Sequence, residues 1–192
     1  MAGRAGDALA AFDQAVALDP GEAGAHIGRG NVLQALGRFE DALAAYDQAV
    51  ALDPGHAGAH ENKGIALAAT GSLNEALAEL DTAQHLAPNG AGEGATWAGA
   101  IMWYRQDTVG AQERFRSVAG RVTGCTPFRT AEMEAIALCG VGQADAAKQH
   151  LLAAVPRRVP GDRPGPRTIY GLMSDPPLPG IERLRKIAEG AA

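Results

Sequence analysis

DALAAFDQAVALDPGEAGAH, residues 7–26, returns at residues 41–60 as DALAAYDQAVALDPGHAGAH. Only two of the twenty positions differ, Phe12 against Tyr46 and Glu22 against His56. The offset is 34 residues, and residues 74–88, NEALAELDTAQHLAP, follow at the same offset. Self-similarity at this period means a stack of like supersecondary units, each covering the apolar face of the next.

One unit contains two helical patterns. Ile27, Gly30, Leu33 and Ala35-Leu36 recur at helical spacing, and Gly37 then frees the chain to turn. Phe39, Ala42, Leu43, Tyr46, Ala49, Val50 and Leu52 form a second stripe, which Pro54 closes because proline cannot continue a helix interior. Gly71 takes the turn position one unit later, and Ser72 followed by Glu75 predicts a capping box. Gly30 and Gly64 on first helices, with Ala42, Ala49, Ala76 and Ala83 on second helices, are small where two helices would touch. Glycine in a helix costs about 0.5–1 kcal/mol against alanine, so its recurrence points to packing.

The run Gly30, Leu33, Gly37, Phe39, Ala42, Tyr46, Ala49, Pro54 resembles the tetratricopeptide repeat, and so does Gly64, Leu67, Gly71, Leu73, Ala76, Leu80, Ala83, Pro88. His26 and His60 stand where that family often has Trp. The resemblance implies an all-α, right-handed superhelical stack of antiparallel helix pairs. About 4.5 repeats are expected over residues 1–154: a half repeat at 1–20, repeats at 23–56 and 57–90, and degenerate ones at 92–125 and 127–154. The fourth rests on Ala111, Phe115 and Val118. The fifth rests on Gly142, Ala147, Leu151 and Ala154, with its first helix starting near Pro127. Residues 155–180 hold seven prolines and are expected to be extended and largely non-helical. Residues 181–192 are expected to form a short helix that caps the stack.

Ala and Leu dominate the 46% apolar content while aromatics are 5%, which favours close-packed helices. Net charge is −5, spread unevenly: residues 1–110 carry 5 Lys/Arg against 14 Asp/Glu, and residues 155–192 carry 7 against 4. The acidic half is a poor match for nucleic acid and a better one for a basic or neutral partner. Arg157, Arg158, Arg163 and Arg167 could answer that acidic half within the same chain. No apolar run reaches the ~18 residues of a membrane span. Cys125 and Cys139 lack metal or disulfide spacing and residues 1–7 lack the apolar core of a signal peptide, so a cytoplasmic location is expected.

In the family the first helices line a concave groove. The resemblance therefore assigns partner contact to Asn31, Gln34, Glu61 and Asn62; the amides of Asn31 and Asn62 suit a peptide backbone. Trp97, Trp103 and Tyr104 join them as aromatic anchors. Two registers are open here. If the extra residue of the fourth repeat falls near Gly90–Gly94, all three aromatics face the groove; if it falls near Gln106, Trp97 is core and Trp103 faces the groove. Ordinary core packing under the Pro-rich tail is the competing reading. Ile27 and Glu93 stand where a clamp for a C-terminal carboxylate would want cations, so that subtype is not expected.

Chemistry-bearing patterns fail. His26 and His60 would stand about 10 Å apart, the helix packing distance, too far to share a zinc without a third ligand. His56 and His85 lie near helix ends, where a cation is mildly favourable. Cys139 and His150 lie on different helices with no orienting carboxylate evident. There is no phosphate loop or nucleophile elbow. The expected function is a non-catalytic protein–protein interaction scaffold, without cofactor or metal, that binds a peptide or partner segment. One alternative is self-assembly through Ala8, Phe12, Ala15 and Val16 of the half repeat. Another is an accessory domain of a larger enzyme or complex.

Overall fold

The computed structural model describes residues 2–88, 90, 92–120, 128–154, 167–174 and 177–189. Pro127, Cys125, Arg157, Arg158 and Arg163 lie outside these residues. The described chain is all-α, with an isolated bridge between Ser174 and Pro177. It divides at Gly90 and Ala91 into two compact units, inside the stretch expected to be one repeat domain.

Unit 1 holds α1 (Ala2–Leu18), α2 (Ala23–Ala35), α3 (Phe39–Leu52), α4 (Ala57–Thr70) and α5 (Leu73–Leu86). Helices α2 and α3 pair, as do α4 and α5, and α3 packs on α4. A Cβ built on Gly30 would come 2.4 Å from the Tyr46 ring, and one on Gly64 would come 2.8 Å from Leu80. These glycines are therefore the seats of the second-helix side chains. The turns close with φ +76° at Gly37 and +89° at Gly71, a left-handed conformation that glycine adopts without penalty. Around Tyr46, residues Leu33, Ala42, Ala45 and Ala66 form the core, with Leu9 and Leu43 against it.

The caps show how the repeat tolerates its few differences. Glu22 caps α2 by accepting from the Gly24 N–H; His56, at the same repeat position, caps α4 by accepting from the Ala59 N–H through Nδ1. His56 is thus an acceptor at a helix start, not a cation at a helix end. His85 does lie in the last turn of α5. Ser72 makes no side-chain cap, so the expected capping box is not formed.

Unit 2 holds α6 (Gly92–Tyr104), α7 (Thr108–Ala119), α8 (Phe128–Gly140), α9 (Ala144–Ala154), α10 (Arg167–Leu172) and α11 (Ile181–Glu189). Helices α6 with α7 and α8 with α9 repeat the pairing of unit 1. Phe115 plays the part of Tyr46: a Cβ on Gly99 would come 2.7 Å from its ring. The fourth turn closes at Gln106 with φ +64°, where the other turns have glycine, and the fifth at Gly142 with φ +83°. Gly99 lies 35 residues after Gly64, and Gln106 lies 35 after Gly71. The extra residue of the fourth repeat thus falls before Gly99, which agrees with the register that places it near Gly90–Gly94.

The tail departs from expectation. Within residues 155–180 it forms α10, which rests on α6, and then α11 packs on α9 and α8 through buried Ile181, Leu184, Ile187 and Ala188.

Candidate partner-binding face

Three of the expected contact residues meet at one point in unit 1. The Tyr46 hydroxyl on α3 donates to Asn31 Oδ1 at 2.9 Å and to Gln34 Oε1 at 3.0 Å, both on α2. Asn62 on α4 donates its Nδ2 to the same Asn31 oxygen at 2.9 Å. A phenol has one proton for two acceptors. The second bond is complete when Gln34 turns its amide and donates to the phenol oxygen. Tyr46 itself is wholly buried, and burial pushes its phenol above the usual value, so it stays neutral. Asn31 is exposed, while Gln34, Glu61 and Asn62 are half-buried. The cluster is therefore held from beneath and open above.

Behind it lies a charged relay between α3, α4 and α5. Lys63 Nζ stands 2.8 Å from both Asp47 and Glu79, and His60 Nδ1 stands 2.6 Å from Glu79. Burial alone would lower the Lys63 ammonium; its hydrogen bonds to Asp47 and Glu79 outweigh that and hold it above its usual value. Burial would raise Glu79, but hydrogen bonds from Lys63 and His60 hold it below the usual carboxylate value.

The repeated histidines have a structural task. The ring Nε2 of His26 lies 3.1 Å from the Pro20 carbonyl, and that of His60 lies 3.1 Å from the Pro54 carbonyl. A carbonyl only accepts, so Nε2–H donates and each histidine fastens the turn that precedes its own helix. No group of His, Cys, Asp and Glu among the described residues could hold a metal.

Unit 2 corrects one assignment. Trp97 is fully buried, so it presents no surface to a partner, although the register is the one expected to turn it toward the groove. Helix α8 packs along α6 and α10 rests on it, closing over the face that would otherwise be open. Trp103 is half-buried and borders a cleft of about 220 Å³ with Gln112, Arg116, Cys139 and Leu178. Tyr104 is 48% exposed. His150 does have a carboxylate partner, Glu134 at 2.8 Å, which the sequence reading missed. Cys139 gains nothing from it: burial pushes the thiol up to about 11, away from the thiolate a nucleophile needs.

The sequence carried a signal for Tyr46 that residue type alone did not decode. Within the helical part of the two near-identical copies, the only difference is the hydroxyl that Tyr46 has and Phe12 lacks. That hydroxyl gathers the amides. Nothing comparable marked Glu132 and Tyr170, 38 residues apart, where the tyrosine hydroxyl donates to Glu132 Oε1 at 2.6 Å in the core of unit 2.

On helix α1 the repeat's apolar set is only half covered. Ala8, Phe12, Ala15 and Val16 are half-buried, whereas the equivalent Ala42, Tyr46 and Ala49 of α3 are wholly buried. No helix among the described residues is long and apolar enough to cross a membrane.

Comparison with known proteins agrees with this architecture. Two tetratricopeptide repeat family models match, one over residues 27–91 and one over residues 1–45. No curated protein matches at the level of sequence. Among solved structures, YrrB, described as a TPR protein with an unusual peptide-binding site, is similar with TM-score 0.57 and 18% identity over 94% of this chain and 92% of that one. A tetratricopeptide repeat protein from Parabacteroides merdae gives TM-score 0.57 and 18% identity over 98% and 71%. A chain of the Cut9–Hcn1 hetero-tetramer gives TM-score 0.68 and 14% identity over 99% of this chain and 36% of that one. At these identities the likeness is one of fold. The family matches cover residues 1–91, where the repeated glycine seats, left-handed turns and paired helices of unit 1 are those of tetratricopeptide repeats, a fold that generally serves as a protein-interaction scaffold.

Proposed function

We propose that the chain is a non-catalytic scaffold whose unit 1 binds an extended peptide or partner segment across α2 and α4, through Asn31, Gln34 and Asn62. The observation that carries this reading is the Tyr46 hydroxyl, which ties the amides into one cluster while leaving Asn31 exposed. Amides fixed from below lose little freedom when a peptide backbone arrives, which favours binding. Glu61 precedes Asn62 on α4. Unit 1 carries 4 Lys/Arg against 12 Asp/Glu, which favours a basic or neutral segment. Trp103 and Tyr104, at the partly exposed end of α6, are candidate partner contacts of unit 2 taken by itself.

Affinity capture with the intact chain, read by mass spectrometry, tests this. A partner held by the native chain should be lost on Asn31→Ala with Asn62→Ala. Every captured protein being retained by that double variant would overturn the reading.

The half-covered face of α1 favours a second reading, in which Ala8, Phe12, Ala15 and Val16 meet another copy. Light scattering should then show mass rising with concentration, and Phe12→Asp should abolish the rise. A strict monomer at high concentration would sink this reading.

A further inference from the structure

We propose that the α6–α8 face of unit 2 is a second peptide site, that α10 is its built-in occupant, and that the external ligand it accepts is a short helical segment carrying an aliphatic–tyrosine pair. The register defines the site. The positions of Glu61 and Asn62 in unit 1 correspond to Thr96 and Trp97 on α6 and to Glu132 and Met133 on α8. In unit 1 these positions are half open. In unit 2 Thr96, Trp97 and Glu132 are fully buried and Met133 nearly so. The same stretch of repeat surface therefore faces solvent in one unit and the chain's own tail in the other.

Helix α10 has the character of a docked peptide. It is six residues long, too short to hold a helix by itself, so its conformation is lent by the surface beneath it. Ile169 and Tyr170 sink into that surface with exposures of 0% and 2%. Tyr170 then makes the specific contact, its hydroxyl donating to Glu132 Oε1 at 2.6 Å. A buried acceptor of this kind rejects a phenylalanine of the same shape, because the ligand lacking the hydroxyl leaves it short of a bond.

The face beneath α10 belongs to a helix, α6, that is not fully satisfied in its hydrogen bonds. The Trp97 Nε1–H is buried without a hydrogen-bond acceptor among the described residues. A ligand whose backbone carbonyl reached this N–H would gain a bond that the folded chain does not make. The tail has the opposite advantage of being tethered, so its local concentration is high and an external ligand competes against it.

The site lies in the other unit from the Asn31 and Asn62 cluster, so its fate is independent of the capture experiment above. The probe is a fluorescent synthetic peptide spanning residues 165–180 of this chain, added to the full-length protein. Native protein should bind it weakly. Ile169→Asp, which expels α10, should bind it at least about tenfold more tightly, and Tyr170→Phe, a milder release, should fall between. The same peptide with phenylalanine in place of its tyrosine should bind Ile169→Asp about tenfold less well than the native peptide. Equal affinity of native and Ile169→Asp proteins, or no binding to a variant that keeps its helical circular dichroism, would overturn the proposal. So would loss of that helical signal in both variants, since α10 would then be core and not occupant.

Discussion

Units 1 and 2 build the same helix pairs around the same kind of seat, Gly30 under Tyr46 and Gly99 under Phe115, yet they treat the outer face of the first helices in opposite ways. Unit 1 spends the ring's hydroxyl on Asn31 and Gln34 and keeps amides at the surface. Unit 2 has no hydroxyl at Phe115, puts Trp97 where Asn62 would be, and buries the face under α10. The repeat therefore fixes the scaffold, and a handful of positions decides whether its face is open or filled.

The strongest way to break that comparison is to remove the shared seat. Gly30→Val should destabilise unit 1, and Gly99→Val unit 2, each by about 3 kcal/mol, because a buried aromatic ring cannot yield as a flexible side chain can. Denaturant unfolding gives the loss, and hydrogen exchange should confine it to the unit carrying the change; spread over both units, it would deny their independence. Next in size is Tyr170→Phe, which removes a hydrogen bond to a carboxylate and should cost unit 2 about 2 kcal/mol with unit 1 unmoved. Protection lost in α10, α6 and α8, with unit 1 unchanged, is the expected exchange pattern.

A smaller and opposite effect is expected at the turn where unit 2 departs from unit 1. Gln106 adopts φ +64° in a place where Gly37 and Gly71 stand in unit 1. Gln106→Gly should raise the stability of unit 2 by about 1 kcal/mol, the usual cost of a side chain in that conformation. A fall in thermal midpoint would contradict it. The smallest effect concerns the Lys63 relay, which is partly exposed and screened. Glu79 titrates below its usual 4.5 in the folded chain. Its contribution is complete above that unfolded value and is lost as pH falls through the folded one. Acid unfolding of unit 1 should therefore flatten below about pH 4.5 in Glu79→Gln relative to the native chain, while unit 2 keeps its own acid profile; identical unit 1 profiles would remove the relay from the account.

Much of the fold was legible because repeat identity does the work of many weak signals. Gly30, Gly37, Gly64 and Gly71 named the seats and turns, and Pro54 and Pro88 the helix ends. The amide cluster was legible only in part. Asn31, Gln34 and Asn62 were named as candidates from the resemblance, but the hydroxyl joining them was visible only as the small difference between Phe12 and Tyr46. Trp97 is buried on a helix that α8 and α10 both pack against, and those contacts come from further along the chain, which no local period encodes. Proline content hid α10 for a related reason: its helix is lent by the surface it covers, and local propensity argues against it. The Ser72 cap failed although the motif was present, since a capping box needs side-chain geometry as well as spacing.

The buried thiol of Cys139 gives unit 2 a clock of its own. At 1% exposure, and with ionisation pushed up to about 11, it meets an alkylating reagent only when the surrounding helices part. Its labelling rate, followed on the peptide that contains it, counts those partings one by one. The same molecule can thus report how often its second unit breathes without any change to its sequence.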